Sequence, residues 1–186
     1  MPPDQQLAHS ARPVVKRTAR AIVLDGHRII LIKRTKPGIA PYWVTPGGGV
    51  EPDDASLLAA LHREIDEELG GTVVDAVPVF VDTTEHLAED GSHGVKVVYF
   101  FVCHLESMDL DRRHGPEITD PNGEYEVVRV PFTRMGLASV DIRPLTLRHY
   151  LDANIEAVLG LLESNSVSAS PGTRPAPEPV DRRALG

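Results

Sequence analysis

Apolar positions recur along the chain with two different periods, and the switches between them divide it into elements. Ala19 to Leu24 and Arg28 to Lys33 are aliphatic and β-branched runs on either side of Asp25-Gly26, a dipeptide suited to the positive φ angles of a tight turn. They predict a β-hairpin. Residues 36–46 carry Pro37, Gly38, Pro41 and Pro46, a loop composition that ends at Gly47-Gly48-Gly49. Beyond them Leu57, Leu58, Leu61, Ile65 and Leu69 recur at helical spacing, with Asp54 or Ser56 available as N-cap and Gly70-Gly71 as the stop. Residues 72–83 and 94–104 are rich in Val, Phe and Tyr and predict strands, turned by Glu89-Asp90-Gly91-Ser92; Tyr125 to Phe132 predicts another. A second helix is predicted from Leu145 to Leu162, where Leu147, Leu151, Ile155, Val158, Leu159 and Leu162 form a stripe. Strands flanked by two main helices define a layered α/β or α+β domain.

The two ends depart from this pattern. Ser164 to Val180, SNSVSASPGTRPAPEPV, has almost nothing large and apolar to offset the entropy of ordering, and the first 15 residues are similarly weak. The expected organisation is a flexible segment 1–15, a folded domain 16–162 and a disordered tail 163–186. With 186 residues, 41% apolar and 25% charged, a single domain of ordinary size accounts for the chain. The formal charge of -8 argues against a broad basic surface that tracks nucleic-acid phosphates. The longest strongly apolar run, Val97 to Cys103, is far short of the roughly 20 residues that cross a bilayer as a helix. Met1 to Val15 lacks the apolar stretch of a secretory signal, and the lone Cys103 excludes an intrachain disulfide framework and a multi-cysteine zinc site. The expectation is a cytoplasmic protein without membrane or nucleic-acid partners, with a homodimer left open.

Chemistry concentrates in the first helix, at Arg63-Glu64-Ile65-Asp66-Glu67-Glu68-Leu69-Gly70. At about 100° per residue from Glu64, Glu67 falls near -60° and Glu68 near +40°, whereas Asp66 falls almost opposite. Glu64, Glu67 and Glu68 therefore share one narrow face, beside the apolar stripe that docks on the sheet. Like charges at these spacings repel, so a compensating cation is required. Clustered hard oxygens without cysteine or paired histidine suit Mg²⁺ or Mn²⁺.

Taken with the upstream glycines, this segment resembles the box of the Nudix hydrolase family: glycine, five residues, glutamate, seven residues, then Arg-Glu-aliphatic-x-Glu-Glu-x-Gly-aliphatic. The match runs from Gly48 to Gly71, with its second half intact from Arg63 to Gly70. Three positions depart: Asp54 stands for the first glutamate, eight residues rather than seven separate it from Arg63, and Gly71 replaces the closing aliphatic. The resemblance implies an α/β/α sandwich around a mixed β-sheet and a Mg²⁺-dependent pyrophosphohydrolase, Mn²⁺ being the other candidate ion. The implied substrate is a small molecule, a nucleoside diphosphate linked to another moiety. Glu64, Glu67 and Glu68 would hold the metal, with the Gly47 carbonyl as a further ligand, and Arg63 would orient a carboxylate through a bidentate pair.

The resemblance also implies a further acid from a late loop. Glu117, Glu124 and Glu126 are candidates, and Glu117 ranks first because Gly115-Pro116 would fix its backbone beside the cleft. Arg34 and Lys36 could meet phosphates at a strand end; Tyr42 and Trp43 could stack on a base, although packing under the sheet suits Trp43 better. Residues 82–90 carry neither the proline nor the tyrosine that hints at one substrate within the family. Nucleoside triphosphates, nucleotide sugars and dinucleoside polyphosphates all stay open. Two rival functions are a non-catalytic nucleotide-sensing module of the same fold and an isoprenoid diphosphate isomerase, which would want a reactive cysteine near the site.

Overall fold

The computed structural model describes residues 12–115, 118 and 123–168. In chain order these form β1 (Val14–Asp25), β2 (Arg28–Lys36), β3 (Ile39–Val44), β4 (Gly47–Gly49), α1 (Leu57–Leu69), β5 (Gly71–Leu87), β6 (His93–Met108), a 3-10 turn (Leu110–Arg112), β7 (Glu124–Pro131), α2 (Arg134–Ala138) and α3 (Leu145–Ser168). The seven strands make one mixed sheet with the path β3-β2-β1-β6-β5, to which β4 adds on β1 and β7 on β2. Only β1 and β6 run parallel among these pairings; the others are antiparallel.

The sheet separates two apolar layers, which is the expected α/β/α sandwich. On one face Ala60, Leu61, Ile65 and Leu69 of α1 pack against Ala19, Ala21, Val23, Ile30, Phe101 and Cys103. On the other, Leu147, Leu151, Ile155 and Val158 of α3 meet Ile22, Leu24, Ile29, Leu31, Phe100 and Val102, with α2 contributing Leu137. The alternation along β1, odd residues to α1 and even residues to α3, is the two-residue period of a strand buried on both sides. Each fully buried Leu or Ile contributes about 1.5–3 kcal/mol relative to exposure, so α1 is held chiefly by Leu61, Ile65 and Leu69. Ser56 is its N-cap, accepting from the Ala59 N–H at 3.1 Å, and Gly70 in the left-handed region at φ 59° closes it. Leu58, expected in the apolar stripe, is 41% exposed: the helical wheel gives its direction but not its place in the first turn.

Three expectations are corrected. Residues 36–46, expected as a loop, contain β3, an edge strand paired with β2 from Ile32–Val44 to Lys36–Ile39. Its proline is tolerated for a geometric reason. Trp43 N–H points away from β2, to the Asp141 carbonyl at 2.8 Å, and Pro41, two residues earlier, turns its missing N–H to that same outer edge. The domain also reaches past both expected boundaries. β1 starts at Val14, ahead of Lys16, and pairs with β6 at Val14–Val95; α3 continues past Leu162 to Ser168, because extending an existing helix fixes one residue per hydrogen bond. Residues 1–11 and 169–186 of the expected flexible ends lie outside the described residues.

One feature of the register shapes the site. β1 and β2 pair only beside their turn, at Val23–Ile30, Leu24–Ile29 and Asp25–Arg28. Beyond that they part, and β4 takes the edge of β1 at Thr18 to Arg20 while β3 takes the edge of β2 from Ile32. The sheet forks there, and the glycine strand lies in the fork.

Candidate active site

Arg63 is the centre of the acidic region. Its Nε and one Nη donate to the two oxygens of Asp54 at 3.2 and 3.0 Å, a bidentate pair. The other Nη donates to Glu64 at 2.9 Å and Glu67 at 3.3 Å, and Arg63 also donates to the Gly49 carbonyl at 2.8 Å. One guanidinium thus ties the glycine strand, the loop before α1 and two acids of α1 together. These partners, Asp54 first, push the arginine further above its already high ordinary value. In return Arg63, aided by the Glu51 backbone N–H, holds the Asp54 carboxyl below the usual carboxylate range. Asp54 is therefore the carboxylate that Arg63 holds in a bidentate pair.

The carboxylates of α1 separate as their phase on the helix requires. Glu64 and Glu68 are each only 7% exposed, and Glu67 is partly buried beside them. Glu68 accepts from the Gly47 N–H at 2.7 Å, within a strand whose Gly47 has φ 126°. A Cβ on Gly48 would collide with the Glu64 carboxylate, so glycine there lets the acid lie against the main chain. Asp66 points elsewhere, 46% exposed and facing Arg112 at 3.7 Å and His114 at 3.9 Å. The departure at the end of the box also has a physical reason: a Cβ on Gly71 would strike the Ser107 carbonyl of β6.

Glu64, Glu67 and Glu68 offer hard oxygen donors beside a strand without side chains, a donor set that fits a divalent cation better than a soft metal. Among the described residues no three His, Cys, Asp or Glu groups already converge as a metal cage; Arg63 and the Gly47 N–H occupy the acids instead. Glu117, the first-ranked late-loop acid, lies outside the described residues. Glu124 and Glu126 flank Tyr125 on β7 and by alternation face away from its side; Glu126 is exposed and paired with Lys33 at 2.9 Å.

The fork in the sheet holds a cavity of about 170 Å³ against Glu68 and the three glycines. Four cations line it: Lys16 and Arg20 from β1, Arg34 from β2 and Lys96 from β6. The pattern of β1 could have disclosed two of them, because Lys16, Thr18 and Arg20 continue at every second position the face that carries Ile22 and Leu24. Arg20 donates to the Thr45 carbonyl at 2.6 Å, and Arg34 lies over the Tyr125 ring at 3.6 Å from its centre. Lys96 stands beside Lys16 across the parallel β1–β6 pair, and burial, then Arg20 and Lys16, lower its pKa from the ordinary lysine value. The Thr18 hydroxyl, buried in the cavity wall, has no hydrogen-bond partner among the described residues.

The other aromatic candidates do not reach this cavity. Trp43 packs on the α3 side of the sheet and Tyr42 lies beside Arg143, at 4.8 Å from ring centre to guanidinium. A larger hollow, about 540 Å³, opens beside the break in α3 at Asn154, and none of the α1 acids reaches it.

Residues 14–145 match the sequence model of the NUDIX domain, and the chain belongs to the Nudix family. Members of this family are generally pyrophosphohydrolases that use divalent metal cations, and by its membership the protein is a hydrolase of phosphoric anhydride bonds. Among solved structures, it is similar to a mutator MutT protein from Bacillus halodurans, at 21% identity over 74% of this chain and 80% of that one, with a TM-score of 0.53. A hydrolase of ADP compounds aligns over 86% of this chain and 77% of its own at 20% identity and a TM-score of 0.50, and a NUDIX hydrolase from Nitrosomonas europaea over 82% and 89% at 18% and 0.48. At these identities the likeness is one of fold. No curated protein sequence matches the chain. No helix among the described residues is long and apolar enough to cross a membrane.

Proposed function

We propose that the protein is a Mg²⁺- or Mn²⁺-dependent pyrophosphohydrolase that cleaves a nucleoside diphosphate linked to another moiety, giving a nucleotide and a phosphorylated product. The observation that carries this reading is the Arg63 junction, which sets Glu64 and Glu67 against the glycine strand and leaves Glu68 at the mouth of a cationic cavity. Glu64, Glu67 and Glu68, with the Gly47 carbonyl, would hold the metal. The bound ion would supply charge neutralisation on the diphosphate and a more acidic water. Arg63 keeps the carboxylates aligned without touching substrate. The cations of the fork attract and orient the phosphates, and the narrow cavity limits bulk water around them. In the step itself a water oxygen bonds to one phosphorus, the P–O bond to the bridging oxygen breaks, and the water proton passes to a base. Glu117, in the late loop, is the acid we assign to that proton.

The isomerase reading loses its nucleophile. Cys103 is fully buried under α1, 3.9 Å from the Ile22 carbonyl, and burial pushes its thiol up to about 12. Product release measured across a panel of nucleotides, with millimolar Mg²⁺ and again with excess EDTA, tests the proposal. Turnover should require the ion and vanish with the chelator. Undiminished turnover in EDTA, or no hydrolysis of any anhydride in the panel, overturns it.

A further inference from the structure

We propose that the protein forms a symmetric homodimer in which the outer edge of β5, from Val81 to Leu87, pairs antiparallel with the same segment of a second copy, the two-fold axis passing at Thr84. The proposal stands apart from the hydrolase reading and rests on the edge itself.

Strand β5 ends the path of the sheet, and among the described residues no strand pairs with its outer side. The other edges are guarded. The outer side of β3 is taken by backbone bonds between Trp43 and the segment of Asp141 and Arg143, and every exposed position of β7 is a charge or a proline: Glu124, Glu126, Arg129 and Pro131. In β5 the features that spoil an edge are confined to its first part, where Pro78 and all the register shifts lie. From Phe80 to Leu87 the pairing with β6 runs without a shift, and two large apolar side chains are exposed, Val81 at 53% and Leu87 at 57%. The acids of this stretch do not project to guard it. Glu85 is paired with Arg12, and Asp82 accepts from the Thr146 hydroxyl at 2.6 Å.

The turn fixes which backbone groups face outward. Ala88 N–H donates to the Ser92 carbonyl at 2.9 Å, so in the antiparallel ladder Asp82, Thr84 and His86 direct their backbone groups at β6, whereas Val81, Thr83, Glu85 and Leu87 direct theirs to the open edge. The outward N–H of Thr83 is covered by the neighbouring Asp82 carboxylate at 2.9 Å, a contact that pairing would exchange for a carbonyl.

Side chains then select the register. With the axis at Thr84, Val81 lies opposite Leu87 of the partner subunit, Thr83 opposite Glu85 of the partner subunit and Asp82 opposite His86 of the partner subunit. Apolar meets apolar, and a carboxylate meets an imidazole. An axis at Asp82 or at Glu85 sets an acid against its own copy, one at Thr83 sets Val81 against Glu85, and one at His86 sets Leu87 against Glu85. The interface is isologous and continues one sheet into the other. A short edge falls below the roughly 1,200 Å² that stable complexes bury, so the dimer should dissociate on dilution.

Sedimentation velocity of the full chain, from about 1 to about 500 µM, should show a reversible shift from monomer to dimer. Thr83→Pro removes an outward N–H and none directed at β6, and Val81→Lys sets a charge against Leu87. Each should weaken association about tenfold or more with an unchanged melting curve. Should Thr83→Pro fail to fold, exposed Val81→Lys carries the same test. Under copper-phenanthroline and oxygen, Thr84→Cys should give a disulfide-linked dimer, because residues at the axis face their own copies; Leu87→Cys should not, and Cys103 is buried. A monomer at every concentration, undiminished association in either folded edge variant, or cross-linking of Leu87→Cys in place of Thr84→Cys overturns the proposal.

Discussion

Two charged regions meet at the glycine strand, and they solve like-charge crowding in opposite ways. On α1 the acids are compensated from within: Arg63 reaches Asp54, Glu64 and Glu67, and the Gly47 N–H serves Glu68. In the fork, Lys16, Arg20, Arg34 and Lys96 gather around a cavity where Glu68 is the single acid. The first arrangement ties the glycine strand, the loop before α1 and the helix together. The second gathers like charges around a cavity, where burial and the neighbouring Arg20 and Lys16 lower the Lys96 pKa. Glu68 belongs to both regions, and it links the electrostatics of the helix to those of the cleft.

Breaking that link should have the largest effect. Glu68→Gln keeps the volume and an acceptor for the Gly47 N–H but removes a charge from the donor set, so turnover should fall about 10²–10³-fold with the fold intact. Steady-state kinetics alongside circular dichroism would check it; near-normal turnover would remove Glu68 from the machinery. Next comes the internal compensation. Arg63→Ala strands Asp54 and Glu64 among each other with little solvent, and because the guanidinium is 24% exposed the expected cost is about 2–4 kcal/mol rather than the full range for a buried pair. Lysine at this position should recover only part of that, since it cannot form the bidentate pair. Denaturant unfolding of both variants decides between a central role and a decorative one.

The cationic side should answer with the opposite sign. Lys96→Met removes a partly buried ammonium from beside Arg20 and Lys16, so stability should rise by about 0.5–1 kcal/mol while affinity for substrate falls. A lower melting temperature in this variant would mean that the cluster is structural. The smallest effect belongs to Asp66, which faces Arg112 and His114 across solvent. Asp66→Asn should change stability by less than about 0.5 kcal/mol and leave kcat near its original value. If it proved as damaging as Glu68→Gln, the division of the helix into two acidic faces would fail.

How much of this was legible beforehand differs between the regions. The helix, its Gly70 stop, the burial of Leu61, Ile65 and Leu69 and the outward turn of Asp66 all follow from spacings of a few residues, because a helix places i, i+3 and i+4 together whatever surrounds it. The family followed from the same segment, since its signature is local. Even there the partner of Arg63 was named only as a carboxylate; that it is Asp54, nine positions back, depends on how the loop before Ser56 folds.

The cationic cavity was not legible, and the reason is topological. In the sequence Arg34 is a strand-end cation, and no local spacing groups it with Lys16, Arg20 and Lys96. They are separated by up to eighty positions, and they converge because β1 pairs in parallel with β6 and parts from β2 after three residue pairs. β3 escaped for a related reason: its Pro41 and the turn at Pro37-Gly38 read as loop, and only the edge offered by β2 makes the segment a strand. The sequence by itself determined the elements whose contacts are local and the acidic face of α1. The tertiary structure alone decided which distant strands lie side by side, and through them the charge and size of the cleft, because long-range pairing depends on which edges remain open once the rest of the sheet has formed.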